Sequence, residues 1–327
     1  MDNKHTLPVL CTMLLIGGMV GAAELLGNGE IIFPEIAAIA TGAVVAPRLA
    51  WRTDGWHILT GIALCAALGL GIVWGMPGPL WMQMSTAYLL ASAAAFCLRT
   101  GFAPMISAAV LPVMLQTRSP IYLAAACGLT VAVLLVRRGL VKAGIREDTP
   151  FSPLPLPDRR TLVQTVLRQI IVTVVIWAAL RADVRFACAP PLLVAFTEFW
   201  RPGAVSRERP GAVIALVTLC AASGAVIRLI VCMTLGLPAA LAAALTMLAV
   251  FGIMRAVGLM LPPAAAIAVL AYLIPADAVG TFPLQILLGI AVLVGASYLY
   301  SERAVRAGNG SCGRCIMDDR LMYRIQN

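Results

Sequence analysis

Few side chains in this sequence could do chemistry, and the best of them sit inside apolar runs. Glu35 directly follows Pro34 in IIFPEIAAIATGAVVAP, and Glu198 lies late in FACAPPLLVAFTEFW. Arg228, in ASGAVIRLIVCM, has 17 uncharged residues before it back to Gly211 and 26 after it up to Met254. An ionisable side chain within a membrane-spanning run is costly and by default marks a functional site. Either carboxylate would suit proton coupling or cation binding. The arginine would suit an anion, a carboxylate or backbone carbonyls. Each residue also has a structural reading. Glu35 would be favoured by the dipole of a helix's first turn. Glu198 would sit at an interface beside Trp200 and Arg201, and Arg228 would snorkel to the surface. Thr41 and Thr197 would offer hydroxyls to a ligand, or bond the backbone of their own helices.

Around these residues lie four short apolar segments with proline at or near the start. They begin at Pro34, at Pro104 (GFAPMISAAVLPVM), at Pro190–Pro191 and at Pro262–Pro263 (GLMLPPAAAIAVLAYLIP). A 14-residue helix rises only about 21 Å, less than the roughly 30 Å hydrocarbon core of a bilayer. Proline near a helix start leaves the first turn's N–H donors free. A half-helix ending inside a membrane would aim those donors at a bound anion or polar solute. The small residues that follow, Ser107 among them, permit close packing. The competing reading is four ordinary short or tilted helices with prolines at their water-facing ends.

Other chemistry is sparse. His5 is terminal, and His57 lies in the loop-to-helix run WRTDGWHIL, so the two histidines make no metal site. Cys312 and Cys315, in SCGRC, form a single CxxC, which is either a redox pair or an incidental tail and lacks a zinc site's second ligand pair. The sequence has no Walker, GxSxG, HExxH or CxxCH motif. No catalytic residue, metal or cofactor is expected, and enzymatic function is disfavoured.

The elements that must hold these residues are membrane helices. The chain is 61% hydrophobic and 12% charged, with mean hydropathy +0.93, too apolar for the surface of a soluble domain. Charge-free runs of spanning length recur, and the ten-residue alternation of a membrane β-barrel is absent. The net charge of +9 and pI of 9.4 read as cationic loops on the cytoplasmic side rather than a nucleic-acid surface. The N-terminal run could pass for a signal peptide, but is expected to stay attached as the first helix.

The expected fold is an all-α polytopic membrane protein with about 12 (10–12) transmembrane or half-membrane helices. They are expected near 7–23, 33–46, 57–75, 81–98, 102–116, 119–136, 162–180, 187–200, 210–234, 238–254, 260–275 and 284–300. That arrangement puts 19 of the 24 Lys and Arg on one side. The positive-inside rule then places both termini in the cytoplasm of a bacterial inner membrane. The expected divisions are an N-terminal membrane repeat at 1–136, a Pro/Arg-rich cytoplasmic linker at 137–161, a C-terminal membrane repeat at 162–300 and a basic tail at 301–327. Pro34 and Thr41 match Pro190 and Thr197 at an offset of 156, while Pro104 and AVL match Pro263 and AVL at 159. Six crossings per half imply repeats of the same orientation about a pseudo-twofold axis along the membrane normal.

Residues 186–283 resemble the HPP family of small integral membrane proteins. The resemblance rests on FACAPPLLVAFTEFWRP, LAAALTMLAVFGIM and LPPAAAIAVL. The family signature, usually HPPAGA, stands here as Leu261-Pro262-Pro263-Ala264-Ala265-Ala266. The histidine is absent, so its role does not transfer, and Ala265 replaces the glycine. Residues 30–115 look like a more diverged second copy, with Ala103-Pro104 at the signature. The resemblance implies a membrane transporter; some relatives are associated with nitrite movement across bacterial and plastid membranes.

The leading expectation is therefore a transporter or channel for a small anionic solute. Its path would use Pro34, Glu35, Thr41, Pro104, Ser107, Pro190, Pro191, Thr197, Glu198, Arg228, Pro262 and Pro263. The expected partners are that solute, the lipid bilayer and a second copy of the chain in a homo-oligomer, with no nucleic acid. The alternative is a non-transporting membrane subunit or scaffold that binds a partner protein through the linker and tail. A membrane-embedded enzyme acting on a lipid-like substrate ranks third.

Overall fold

The computed structural model describes residues 3–148, 150–200 and 208–308, and these residues form helices and connecting turns without a strand. Among the described residues eight long helices surround four short ones. The long helices are α1 (Asn3–Leu25), α3 (Gly55–Gly75), α4 (Leu80–Cys97), α6 (Ile121–Lys142), α7 (Arg159–Arg181), α9 (Pro210–Ile227), α10 (Ala239–Val257) and α12 (Phe282–Gly308). The short ones are α2 (Glu35–Ala40), α5 (Pro104–Leu115), α8 (Pro190–Trp200) and α11 (Pro262–Leu270). A π-turn, Thr41–Val45, prolongs α2, and another, Arg228–Thr234, prolongs α9.

Among the described residues six helices are long and apolar enough to cross a membrane: α1, α3, α6, α7, α9 with its π-turn, and α10. Their outward faces are apolar too. Leu14, Leu135, Ile170, Val174 and Leu248 are all exposed on the surface of the bundle. A water-facing surface would not carry that much contiguous Leu, Ile and Val, whereas a bilayer accepts it.

Local sequence accounts for the boundaries. Asp54 caps α3 by accepting from the His57 N–H at 2.8 Å, and Asp158 caps α7 by accepting from the Thr161 N–H at 2.8 Å. Such caps satisfy N–H groups that have no partner within the helix. Proline opens α5, α8, α9 and α11, where its missing N–H costs nothing. Gly258, at φ 66°, closes α10 in the left-handed conformation that glycine adopts without strain.

The four short helices pack on one another as a closed ring. α2 lies against α11, α11 against α8, α8 against α5, and α5 against α2. Nearly every side chain on them is buried. Long helices approach this ring closely. Gly69 of α3 lies against the Ala109 carbonyl of α5, and Gly224 of α9 against the Ala268 carbonyl of α11. A Cβ at either glycine would collide with that backbone.

The linker is shorter than expected and is not free. The helix α6 continues through Lys142, because Arg137 and the residues after it keep bonding within the helix and Arg137 is buried there. Residues 143–148 and 150–158 then strap across one end of the bundle. Leu154 and Arg99 exchange bonds, each 2.8 Å: Leu154 N–H to the Arg99 carbonyl, and Arg99 Nε to the Leu154 carbonyl. Arg48 pairs with Glu147 at 2.6 Å, and Phe151 stacks on His57 with ring centres 4.0 Å apart. The last helix also runs past its expected end at 300 to Gly308. Arg201, Cys312 and Cys315 lie outside the described residues.

Candidate functional site

All four proline-led helices start inside the protein. The residues just before the prolines, Phe33, Ala103, Ala189 and Leu261, are between 0% and 4% exposed. Pro34, Pro104, Pro190, Pro191, Pro262 and Pro263 are themselves buried. Yet these starts are not rich in free amides. Ile36 donates to the Phe33 carbonyl at 3.0 Å, Ile106 to Ala103 at 3.0 Å, Leu192 to Ala189 at 2.9 Å and Ala264 to Leu261 at 3.0 Å. Tight first turns of this kind use donors that an anion would otherwise take.

Side chains supply the polarity instead. Glu35, the first residue of α2, is 1% exposed. The Ser107 hydroxyl of α5 donates to its Oε1, while its Oε2 is buried without a partner. α2 and α5 touch at this pair, so two residues 72 apart in sequence meet at the ring. Tyr122 of α6 is also buried, and donates to the Ala108 carbonyl, 2.9 Å away on α5, beside Ser107. Its ring stands edge-on to Phe33, which precedes Pro34.

The two matching threonines behave alike in one respect. Thr41 Oγ1 donates to the Ala37 carbonyl at 2.7 Å, and Thr197 Oγ1 to the Leu193 carbonyl at 2.8 Å. Thr197 has a further partner, the Tyr88 hydroxyl of α4, at 2.8 Å. Glu198 accepts from the Trp51 indole N–H at 2.7 Å. That bond ties the end of α8 to the loop after α2, and the Trp51 ring covers Gly42.

Arg228 is half-buried, and its Nη1 donates to the carbonyls of Ala271 and, at 2.8 Å, Ile274. Those carbonyls follow the C-terminus of α11. At the end of α2 two other arginines do the same. Arg137 Nη1 donates to the Ala43 carbonyl at 2.6 Å; Arg146 Nε reaches Val44 at 2.7 Å, and its Nη2 reaches Val45 at 2.8 Å. A helix's last carbonyls carry partial negative charge and lack intrahelical donors, so an arginine there is favoured twice over.

Sequence reasoning singled out Glu35, Ser107 and the prolines; the fold brings Glu35 and Ser107 into contact and puts the prolines at the starts of the four ring helices. Thr197 and Glu198 also lie on a ring helix, α8, where they meet Tyr88 and Trp51, while Arg228 lies in the π-turn after α9. Tyr88, Tyr122, Arg137 and Arg146 were missed. Arg137 was legible only as a charge at the end of a long apolar run, and nothing in the sequence pointed to the carbonyls it would meet. Among the described residues no group of three or more His, Cys, Asp or Glu could hold a metal ion.

The sequence matches no family model, and no curated protein or solved structure is similar to it. What the chain does must therefore be argued from this geometry.

Proposed function

We infer that the chain is a transporter or channel moving a small anionic solute along a path framed by α2, α5, α8 and α11. One observation carries the reading: four short helices start inside the protein and close into a ring, with the Glu35–Ser107 pair at one of the contacts. Short helices that begin within a membrane domain are a recurring way of building a solute site. Glu35 is the coupling group of this path. Its Ser107-bonded oxygen fixes the side chain, and its unpartnered oxygen is the atom that a proton or cation would join.

The reading includes two same-orientation halves, α1–α6 and α7–α12, about a pseudo-twofold axis. Pairwise packing supports it. α3 packs on α5 as α9 packs on α11, α1 on α10 as α7 on α4, and α2 on α11 as α8 on α5. The glycine contacts match as well: Gly69 on Ala109 in one half, Gly224 on Ala268 in the other. The reading also puts the linker strap and both termini on the cytoplasmic face of a bacterial inner membrane, on the positive-inside rule.

Flux in proteoliposomes tests the proposal. Chloride, nitrate, nitrite, formate and sulfate would each be offered with and without an inward proton gradient. At least one is expected to enter, faster with the gradient, and Glu35→Gln is expected to abolish the gradient's effect. No flux for any of them, with the protein folded, removes the reading.

A further inference from the structure

Buried polar atoms without a partner are concentrated in one seam of the bundle. Among the described residues seven such side-chain atoms occur, and four belong to α4 and α7: Ser85 Oγ, Ser92 Oγ, Arg168 Nε and Gln169 Oε1. These helices pack on each other. Ser85, Tyr88 and Ser92 are spaced three and four apart, which puts them on one face of α4. That face meets α7: Gln169 Nε2 donates to the Ser85 carbonyl at 3.0 Å, and the Arg168 guanidinium carbon is 6.0 Å from the Tyr88 ring centre.

The seam paired with it by the twofold reading, α1 against α10, is built differently. There a Cβ added at Gly17 or Gly21 would come within 3.1 Å of Ala240. The Thr12 hydroxyl is bonded to the Pro8 carbonyl at 3.0 Å. That is close small-residue packing with its polar group satisfied. The α4–α7 seam leaves its polar groups unsatisfied, and a buried group left so costs about 1–3 kcal/mol.

Counting hydrogens shows which donors are available. Thr197 has one hydroxyl hydrogen and gives it to the Leu193 carbonyl. Tyr88, 2.8 Å from Thr197 Oγ1, must then be the donor in that pair. The Tyr88 oxygen is left as an acceptor for the guanidinium beside it. The order Arg168, Tyr88, Thr197, Leu193 ties Arg168 to α8 and hence to the short-helix ring. Arg168 Nε–H and the hydroxyls of Ser85 and Ser92 remain as donors without acceptors. The side-chain ion pairs Arg48–Glu147 and Asp54–His57 lie elsewhere. Arg228, the arginine that the sequence alone favours, has its Nη1 committed to carbonyls.

We propose that the α4–α7 seam binds a small anion, of the size of chloride, nitrate or formate, through Arg168 Nε and the Ser85 hydroxyl; Ser92, two turns further along α4, is too far away to touch the same ion. We propose further that this anion is the solute of the path, a step that rests on the transport reading above. A guanidinium with a serine hydroxyl on the facing helix offers two unused donors to negative charge. Gln169 Oε1, an acceptor without a partner, accommodates an accompanying water.

Titration calorimetry on the purified protein in maltoside detergent tests the site, with sodium chloride, nitrate and formate as probes and gluconate holding the ionic strength. Saturable binding of at least one probe is expected. Arg168→Gln should weaken it about tenfold or more, as loss of a charge-assisted bond does. Arg168→Lys keeps the charge without the Nε–H and should fall between; it also serves if the glutamine variant does not fold. Ser85→Ala should weaken binding several-fold, whereas Ser92→Ala, two turns away, and Arg181→Gln, at the far end of α7, should leave it unchanged. Failure of the wild type to saturate with any probe, or wild-type affinity in both Arg168 variants, overturns the site. Competition by added phosphatidylglycerol makes the occupant a lipid headgroup and overturns the free-anion assignment. Flux separates the two claims. Binding without flux removes transport and leaves the site standing, whereas wild-type flux in Arg168→Gln with binding lost removes the solute assignment.

Discussion

The two oxygens of Glu35 have different surroundings, and two substitutions separate them. Glu35→Gln keeps an acceptor for Ser107 and removes a buried charge, so its melting temperature is expected to equal or exceed that of the wild type. Ser107→Ala strips the bonded oxygen of its donor and should cost about 1–3 kcal/mol, read as a lower melting temperature in detergent. Asp54, outside the spanning segments, has a pH signature. Burial alone would raise its carboxyl, but bonds from the His57 backbone and ring, with the His57 charge, hold it below the usual range. A lowered folded-state value means the stabilisation is present above about pH 4 and is lost as pH falls further. Asp54→Asn keeps a capping oxygen without the charge. The melting-temperature advantage of the wild type over this variant should therefore shrink on acidification below that pH. At this scale the sequence was informative where burial cost speaks, as for Glu35. It was silent on partners: Arg228 and Thr41 look like ligand groups until the carbonyls beside them are known.

Element by element, the short helices depend on capping at their C-termini and on close glycine contacts at their flanks. Arg137 and Arg146 hold consecutive carbonyls at the end of α2. Removing either guanidinium by substitution with alanine should cost about 1–3 kcal/mol. The double variant should lose less than the sum, because the two share one helix end. Thermal melts of the three variants check this. Gly69→Ala and Gly224→Ala would each force a long helix away from the ring, at about 1–3 kcal/mol, and both should lower the melting temperature. Proline placement made the starts of α5, α8 and α11 legible, since a missing N–H and a fixed φ restrict where proline can sit. The π-turn after α2 and the strap formed by 143–148 and 150–158 were not legible. Both are fixed by partners distant in sequence: Arg137 and Arg146 on the carbonyls of Ala43, Val44 and Val45, and Arg99 bonded to Leu154.

Across the whole molecule, the halves meet through α2–α11, α5–α8, α1–α10 and α4–α7, and most of the ring lies in that interface. The covalent link adds little by comparison. A protease site placed at 155–157, beyond the strap's bonds to Arg99, should be cleavable without separating the halves. The clipped protein is expected to elute as one species in size-exclusion chromatography and to melt within a few degrees of the intact chain. Two separate peaks would show that the linker, not the ring, holds the halves together. Such a result would also count against the pseudo-twofold arrangement.

By itself the sequence determined the solvent and the vocabulary. A chain this apolar must turn Leu, Ile and Val outward as well as inward, so helices with internally satisfied backbones are required. Its prolines mark where short helices begin. The tertiary structure alone decided which short helices touch. Ring neighbours such as α2 and α11 are separated by most of the chain, and Ala, Val and Leu faces carry no information about their partners. It also decided which polar atoms end up satisfied. Glu35 is matched by Ser107, Arg228 by carbonyls, and Arg168 by Tyr88 on one side only, because hydrogen-bond partners are set by positions in space that residue spacing along one helix does not specify.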